Sequence, residues 1–378
     1  MKIDKNGVYG VYVHIPFCLK KCSYCDFASY PGQLSRADCY LENVYAEMEQ
    51  YKGITADSVY IGGGTPTSLK KEQLVDLINK IKSSFSLTND CEFTVECNPK
   101  TVDFDYLRML KNTGVNRLSI GVQSLNDDEL KLLGRVHSKD EAIECIDMVK
   151  RAGFNNFNVD LMFGLPGQSL DGFKETVMKV LNAEPSHISC YSLIVEEGTP
   201  ISKRINSGEF VLPNEDTERE MYQTLIDILN DAGYKHYEIS NFAKDGKESR
   251  HNNKYWERKP YIGLGAAAHS NIGDLRFGNP ASLEEYAKVS CLKIPDGREM
   301  EYLTQEDKMS EFMILGLRKI NGISKESFAE EFKKDLESVF AEQLSKFEML
   351  GLVQITEERV MLTKRGIDVS NVVFCEFL

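Results

Sequence analysis

The chain has 378 residues, is 42% hydrophobic and 27% charged, and carries a formal net charge of −13. That balance describes an ordinary soluble protein with room for one large domain and one or two smaller ones, and it argues against a broad phosphate-binding surface and so against nucleic acid as partner. No apolar stretch is long enough to span a membrane and the residues after Met1 pass straight into a strand-like run, so neither a leader nor membrane insertion is expected and the cytoplasm is the default.

The first strand, residues 8–15, leads into Cys18-Leu-Lys-Lys-Cys22-Ser-Tyr-Cys25. With ten cysteines in the chain, two more at prescribed offsets from a given one arise by chance about once in a thousand cases. The same spacing fits one face of a helix with buried thiols, but Pro16 upstream and the polar Lys20, Lys21 and Ser23 favour a loop. Zinc would want a fourth ligand, for which His14 is the nearby candidate. A four-iron cluster held by three thiolates instead keeps one iron open to chemistry. The remaining cysteines (Cys39, Cys91, Cys97, Cys145, Cys190, Cys291 and Cys375) are scattered without paired spacing, as in a reduced compartment.

Further along, strand-like runs at 57–61, 92–96, 117–122, 157–163 and 187–193 alternate with helix-period segments at 36–51, 70–85, 140–152, 172–182 and 215–232. The alternation predicts a parallel sheet with right-handed crossovers, and about six units make an incomplete barrel. The unusual residues fall at carboxyl ends of these strands, the face on which such barrels build their sites. Gly62-Gly-Gly-Thr-Pro66 would let backbone approach a ligand and expose amide N–H groups, with Thr65 adding a hydroxyl; the alternative is a tight turn. Glu96 and Asp160 suit ribose hydroxyls or an ammonium group, or a structural ion pair. Gln123 and Arg135 offer donors to carboxylates, unless Arg135 is a solvated helix residue.

Taken together, Tyr12-Val-His-Ile-Pro-Phe-Cys18, the three-cysteine loop, Gly-Gly-Gly-Thr-Pro, Glu-Cys-Asn-Pro, Gly121-Val-Gln-Ser and Asp160-Leu-Met-Phe-Gly-Leu-Pro166 resemble the HemN/HemW group of radical S-adenosylmethionine (SAM) proteins. That group includes an oxygen-independent coproporphyrinogen III dehydrogenase and a heme chaperone. The resemblance implies an α/β fold: a partial (β/α)6 TIM-like radical SAM barrel over 1–235, an HNxxYW-containing connecting region over 236–299, and a smaller, winged-helix-like HemN-type domain over 300–378. It implies a [4Fe–4S] cluster on Cys18, Cys22 and Cys25, its fourth iron chelated by SAM, whose reductive cleavage yields methionine and a 5′-deoxyadenosyl radical. Tyr12, Gly63 and Glu96 match positions around that SAM. Tyr24, Gly64, Thr65, Gln123, Arg135 and Asp160 match residues that contact a second SAM in the dehydrogenase.

Departures from the dehydrogenase pattern favour the chaperone branch. Phe27 stands where that enzyme has a further cysteine, and the segment it carries before the first strand is absent here. His251-Asn-Asn-Lys-Tyr-Trp256 resembles the HNxxYW motif of the chaperone group. His251 is the lead axial ligand for a heme carried as cargo, with His269 as alternative; otherwise Tyr255 and Trp256 plug the open side of the barrel. Implied partners are heme-accepting proteins and an electron donor such as a flavodoxin-type protein, and the competing activity is oxidative decarboxylation of coproporphyrinogen III. From residue 300, helices at 304–320 and 336–350 precede a hairpin at 352–355 and 359–362 turning at Glu357-Glu358, expected to cover the barrel mouth or meet a partner. Its acidity disfavours DNA, and anionic lipid would be reached only through a protein partner.

Overall fold

A computed structural model describes residues 4–378; the start of the chain, on which the expectation of no leader rests, lies outside the described residues. In chain order the first strands are β1 (Val8–Ile15), β2 (Phe17–Cys18), β3 (Tyr30–Pro31), β4 (Thr55–Gly63), β5 (Ser86–Cys97), β6 (Arg117–Gln123), β7 (Phe157–Phe163) and β8 (His187–Ser192). Strands β1 and β4 to β8 lie side by side in sequence order, every neighbouring pair parallel. Helices Ala37–Met48, Lys71–Ser84, Phe104–Asn112, Lys139–Arg151 and Leu170–Asn182 make the crossovers. The expected six-strand partial barrel is therefore present. The pair β2–β3 is a separate two-stranded ribbon.

Alternation along each strand explains why this barrel is hollow. Val11, Val13, Val59, Ile61, Val95, Leu118, Ile120, Val159, Leu161 and Ile188 belong to the buried core shared with the crossover helices. Residues of the opposite parity are polar: Tyr60, Glu96, Arg117, Ser119, Asn158, Asp160 and Ser189 line one interior cavity of about 560 Å³. A period of two sends the two sets to opposite faces, and a polar inner face leaves room where a filled barrel would pack aliphatic layers.

Residues 236–299 do not link two bodies, as expected, but are built into the same sheet. Strands β9 (Lys235–Glu238) and β10 (Asn241–Ala243) continue it antiparallel beyond β8. β11 (Tyr261–Leu264) adds parallel to β1 at the other edge, followed by antiparallel β12 (His269–Ile272), β13 (Leu275–Gly278) and β14 (Glu299–Tyr302). These strands are three or four residues long, too short for a periodic signal to register. Between the two edges the chain crosses as helix Arg250–Trp256.

The last segment has its own core, centred on Met313, Phe328, Phe347 and Val360. It holds helices Gln305–Gly316, Lys325–Phe332 and Ala341–Met349 and a sheet β15 (Ile323–Ser324), β16 (Val353–Ile355) and β17 (Arg359–Leu362) in the order β15-β17-β16. The helix expected over 336–350 is broken at Phe340, whose φ of −114° and ψ of 31° interrupt the helical path. This body does not cover the mouth: none of its residues lines the cavity among the described residues. It bridges the two sheet edges instead, through Arg318 to Glu238 of β9 and Arg276 of β13 to Glu311. Among the described residues no helix is long and apolar enough to cross a membrane.

Candidate functional site

Cys18 sits on β2 and Cys22 and Cys25 on the loop that follows; Cys18 is buried and the other two are half-buried. All three line the cavity at the carboxyl ends of the strands. The loop is pinned rather than free: the Ser23 amide donates to Leu133 O at 2.9 Å, its hydroxyl donates to Leu132 O at 2.8 Å, and the Ile201 amide donates to Ser23 O at 2.9 Å. Arg135 Nη1 reaches Cys22 Sγ at 3.3 Å, while Nη2 donates to Asn98 Oδ1 at 2.5 Å and to Gly121 O. Thr65 Oγ1 donates to Cys18 Sγ at 3.6 Å. Arg135 is thus a cation held against the thiols, not a solvated helix residue.

Burial raises the Cys18 and Cys25 thiols above the ordinary range, with Thr65 lowering the first and the Phe27 backbone the second. They remain thiols until a metal withdraws the protons. Among the described residues no set of His, Cys, Asp and Glu closes on a single metal ion; a multi-iron cluster takes one thiolate at each of several corners and needs wider spacing. Space for it exists beside the loop in the cavity of about 560 Å³ that the three thiols line, and Gly64 lets its strand end pack close to them, since a Cβ there would stand 3.0 Å from Cys18 Sγ and 2.7 Å from Phe17 O. Three thiols, a retained cation and a glycine-cleared flank fit a [4Fe–4S] group.

The glycine run works differently from the expectation. Its amides are engaged: Gly63 N donates to Glu96 Oε2 at 3.0 Å, Gly64 N to Ile15 O at 2.9 Å and Thr65 N to Phe17 O at 2.8 Å. What the glycines supply is close approach and a left-handed turn, φ being +110° at Gly63 with His14 Nδ1 2.5 Å from any Cβ placed there. Glu96 in turn accepts from Tyr60 OH at 2.8 Å, and its enclosure by the barrel pushes its pKa up to about 7. Asp160 accepts from Asn158 Nδ2 at 2.7 Å and Ser119 Oγ at 3.3 Å, and burial raises it too. Gln123 ends β6 at φ +71°, strained backbone of the kind that clusters at ligand sites.

Of the residues singled out in the sequence, Tyr24, Gly63, Gly64, Thr65, Glu96, Gln123, Arg135 and Asp160 line the same cavity as the thiols. Tyr12 does not: its hydroxyl pairs with His14 Nδ1 at 2.9 Å, behind Tyr60. Nor does His251, which is 1% exposed. Its Nδ1 pairs with Ser58 Oγ at 3.0 Å and its Nε2 with Tyr255 OH at 2.9 Å, and its ring stacks on Tyr60. Neither nitrogen is free to take iron in this arrangement, so the plug reading describes the motif here. His269 is exposed at the start of β12 and walls no part of the cavity. Sequence reasoning missed Tyr60, Asn98, Arg117, Asn158, Ser189 and Asn252, all cavity-lining; Asn98, inside Glu-Cys-Asn-Pro, and Asn252, inside the HNxxYW motif, stood in motifs already singled out.

A parallel half-barrel with a pinned three-thiol loop and a glycine turn over its carboxyl face defines a radical SAM protein. Comparisons agree: the sequence model of the Radical SAM superfamily matches residues 12–180 and that of the HemN C-terminal domain residues 303–369. The chain is 40% identical to the heme chaperone HemW of Bacillus subtilis (strain 168), covering 97% of this chain and 98% of that one. It is 36% identical to the heme chaperone HemW of Lactococcus lactis, over 97% and 96%. The structure of coproporphyrinogen III oxidase (HemN) from Escherichia coli superposes with a TM-score of 0.85 at 25% identity, covering 98% of this chain and 90% of that one. The chain belongs to the HemN/HemW family of radical SAM proteins.

Proposed function

We propose that this chain binds heme and delivers it to heme-accepting proteins, with a [4Fe–4S] cluster and SAM in the barrel. The observation that carries this reading is the near full-length identity to relatives named heme chaperone HemW. When bound, the cluster supplies an electron to the SAM sulfonium. The protein's own part is to hold it: Cys18, Cys22 and Cys25 ligate, Arg135 donates to Cys22 Sγ, and Glu96 and Asp160 present acceptors to the nucleoside or ammonium groups.

The cavity mouth suits a flat, amphipathic cargo. Leu19, Phe27, Tyr191 and Ile194 are exposed around it, Ile194 to 70% and Phe27 to 68%, with Lys20 and Lys21 beside them. A porphyrin offers apolar faces to such a rim and acidic propionates to the lysines. Among the six histidines, His269 alone is exposed; a heme on the folded chain finds an imidazole there, whereas His251 serves only if helix Arg250–Trp256 leaves the barrel. A cytoplasmic setting, a flavodoxin-type electron donor and protein-mediated membrane contact complete the proposal.

The test pairs a heme titration with an anaerobic assay of reconstituted protein given SAM, reductant and coproporphyrinogen III. Stoichiometric heme uptake without protoporphyrinogen IX is expected. Protoporphyrinogen IX formed over many turnovers would instead establish the dehydrogenase. Comparing His269→Ala with His251→Ala in the heme spectrum assigns the ligand.

A further inference from the structure

Arg117 opens β6 with its guanidinium turned into the barrel. It is 2% exposed, it lines the cavity, and its Nε has no hydrogen-bond partner. Among the described residues it enters no ion pair. The acids around it face other donors: Glu96 takes Tyr60 OH and Gly63 N, Asp160 takes Asn158 and Ser119, and Glu92 takes the Arg250 and His251 amides. Thr94, directly across from Arg117 in the β5–β6 register, also has a buried hydroxyl without a partner.

This contrasts with Arg135 at the thiol end, whose Nη atoms are bonded to Cys22, Asn98 and Gly121. Arginine keeps its charge at any ordinary pH, and a desolvated cation left unpaired is destabilising until an anion completes it. Arg117 stands four positions before Gly121 along β6, so the free cation sits deep in the barrel and away from the cluster face. Asn252, the second residue of the HNxxYW motif, lines the same cavity from helix Arg250–Trp256. The only hydrogen bond of Asn252 to another residue's side chain among the described residues is its backbone amide to Ser249 Oγ, so its carboxamide is available to a ligand.

We propose that Arg117 and Asn252 form a carboxylate-binding subsite on the cavity floor, which receives an acid group of the ligand that enters from the thiol end. A guanidinium binds a carboxylate through two parallel N–H donors, and a carboxamide adds a third. Two sources offer that group: the amino-acid end of a SAM molecule other than the one expected on the open iron, and a propionate of a tetrapyrrole. Only the second rests on the heme reading above.

The experiment compares wild type, Arg117→Gln, Arg117→Lys and Asn252→Asp as anaerobically reconstituted full-length protein. SAM binding is measured by calorimetry; heme and heme dimethyl ester are titrated by absorbance. Arg117→Gln is expected to weaken an acid-bearing ligand about tenfold to a hundredfold, the range for a charge-assisted hydrogen bond. Arg117→Lys should keep part of the affinity, and Asn252→Asp should weaken the same ligand by repulsion. A loss confined to SAM assigns its carboxylate. A loss for heme, with the dimethyl ester binding wild type and variant alike, assigns a propionate. Unchanged affinity for SAM and heme in both Arg117→Gln and Asn252→Asp overturns the subsite and leaves Arg117 as counter-charge to Glu96 and Asp160. Wild type that binds SAM but no heme defeats the heme reading without touching the SAM arm. Thermal melts check folding, and if Arg117→Gln does not fold, Asn252→Asp decides alone, since its side chain bonds nothing that the fold depends on.

Discussion

Glu96 is a carboxylate whose charge is costly where it stands. Burial outweighs the Tyr60 and Gly63 donors and lifts its pKa from 4.5 to about 7. Between those values the folded state still holds a proton that the unfolded chain has released, so stability falls as pH rises through this window, by up to about 3 kcal/mol. Glu96→Gln keeps the shape and deletes the titration. Urea unfolding of the two proteins without ligand should show their stability difference growing in the variant's favour from pH 4.5 to 7; parallel curves would mean that water in the cavity solvates the charge. Gly63 makes a second case, with φ +110° and His14 Nδ1 2.5 Å from where an alanine methyl would stand. Gly63→Ala is expected to cost about 1–3 kcal/mol and to weaken SAM binding in calorimetry, because the turn carries the amide that holds Glu96. The glycine run and Glu96 were legible because their residue types are unusual at strand ends. Arg117 was not, since an arginine at the start of an apolar run reads as a solvated strand terminus until the barrel closes around it.

Helix Arg250–Trp256 illustrates how an element recognised by its motif also carries a packing role that the motif does not announce. The histidine, two asparagines and aromatic pair suggested a heme ligand, and the same segment also carries the chain from β10, beyond β8, to β11, beside β1 on the opposite side of the parallel strands. There the Glu92 carboxylate receives the Arg250 and His251 amides at 3.2 and 3.1 Å, and Lys254 pairs with Asp57 at 2.8 Å. Such long-range anchoring leaves no local periodicity to read. His251 fills the base of the barrel, so His251→Ala should lower stability by about 2–3 kcal/mol through the lost packing and hydrogen bonds, visible in a thermal melt without heme. Burial also depresses the imidazole to about 3. Its contribution is therefore complete above the unfolded value of 6.5 and is lost as pH falls from there toward 3. His251→Gln should lose less stability than wild type between pH 7 and pH 5; a purely heme-binding histidine would predict no difference.

The barrel core and the C-terminal core are joined by polar pairs and by a small apolar contact at Ile239 and Ile367. The barrel core and the C-terminal core are each apolar and each followed from patterning, but what joins them did not, because the contacts pair residues far apart in sequence. Arg318 lies at the centre of the junction: its guanidinium is 4.4 Å from the Trp256 ring and 3.6 Å from the fully buried Glu238. Its backbone carbonyl accepts from Ile239 N at 3.1 Å. Burial raises the Glu238 pKa and Arg318 pulls it back, so truncating the arginine leaves an acid uncompensated in the interior. Arg318→Ala should cost about 2–4 kcal/mol, less than a fully enclosed pair because Arg318 keeps some solvent access. Glu238→Gln on the same background should recover most of that loss, since it removes the orphaned charge rather than restoring the contact. Trp256 is the single tryptophan and lies under Arg318, so its emission reports the junction directly. In Arg318→Ala its transition should move to lower temperature, and the double variant should return it toward wild type. If the double variant melts as early as the single one, the cation over Trp256 and not the charge of Glu238 holds the two cores together.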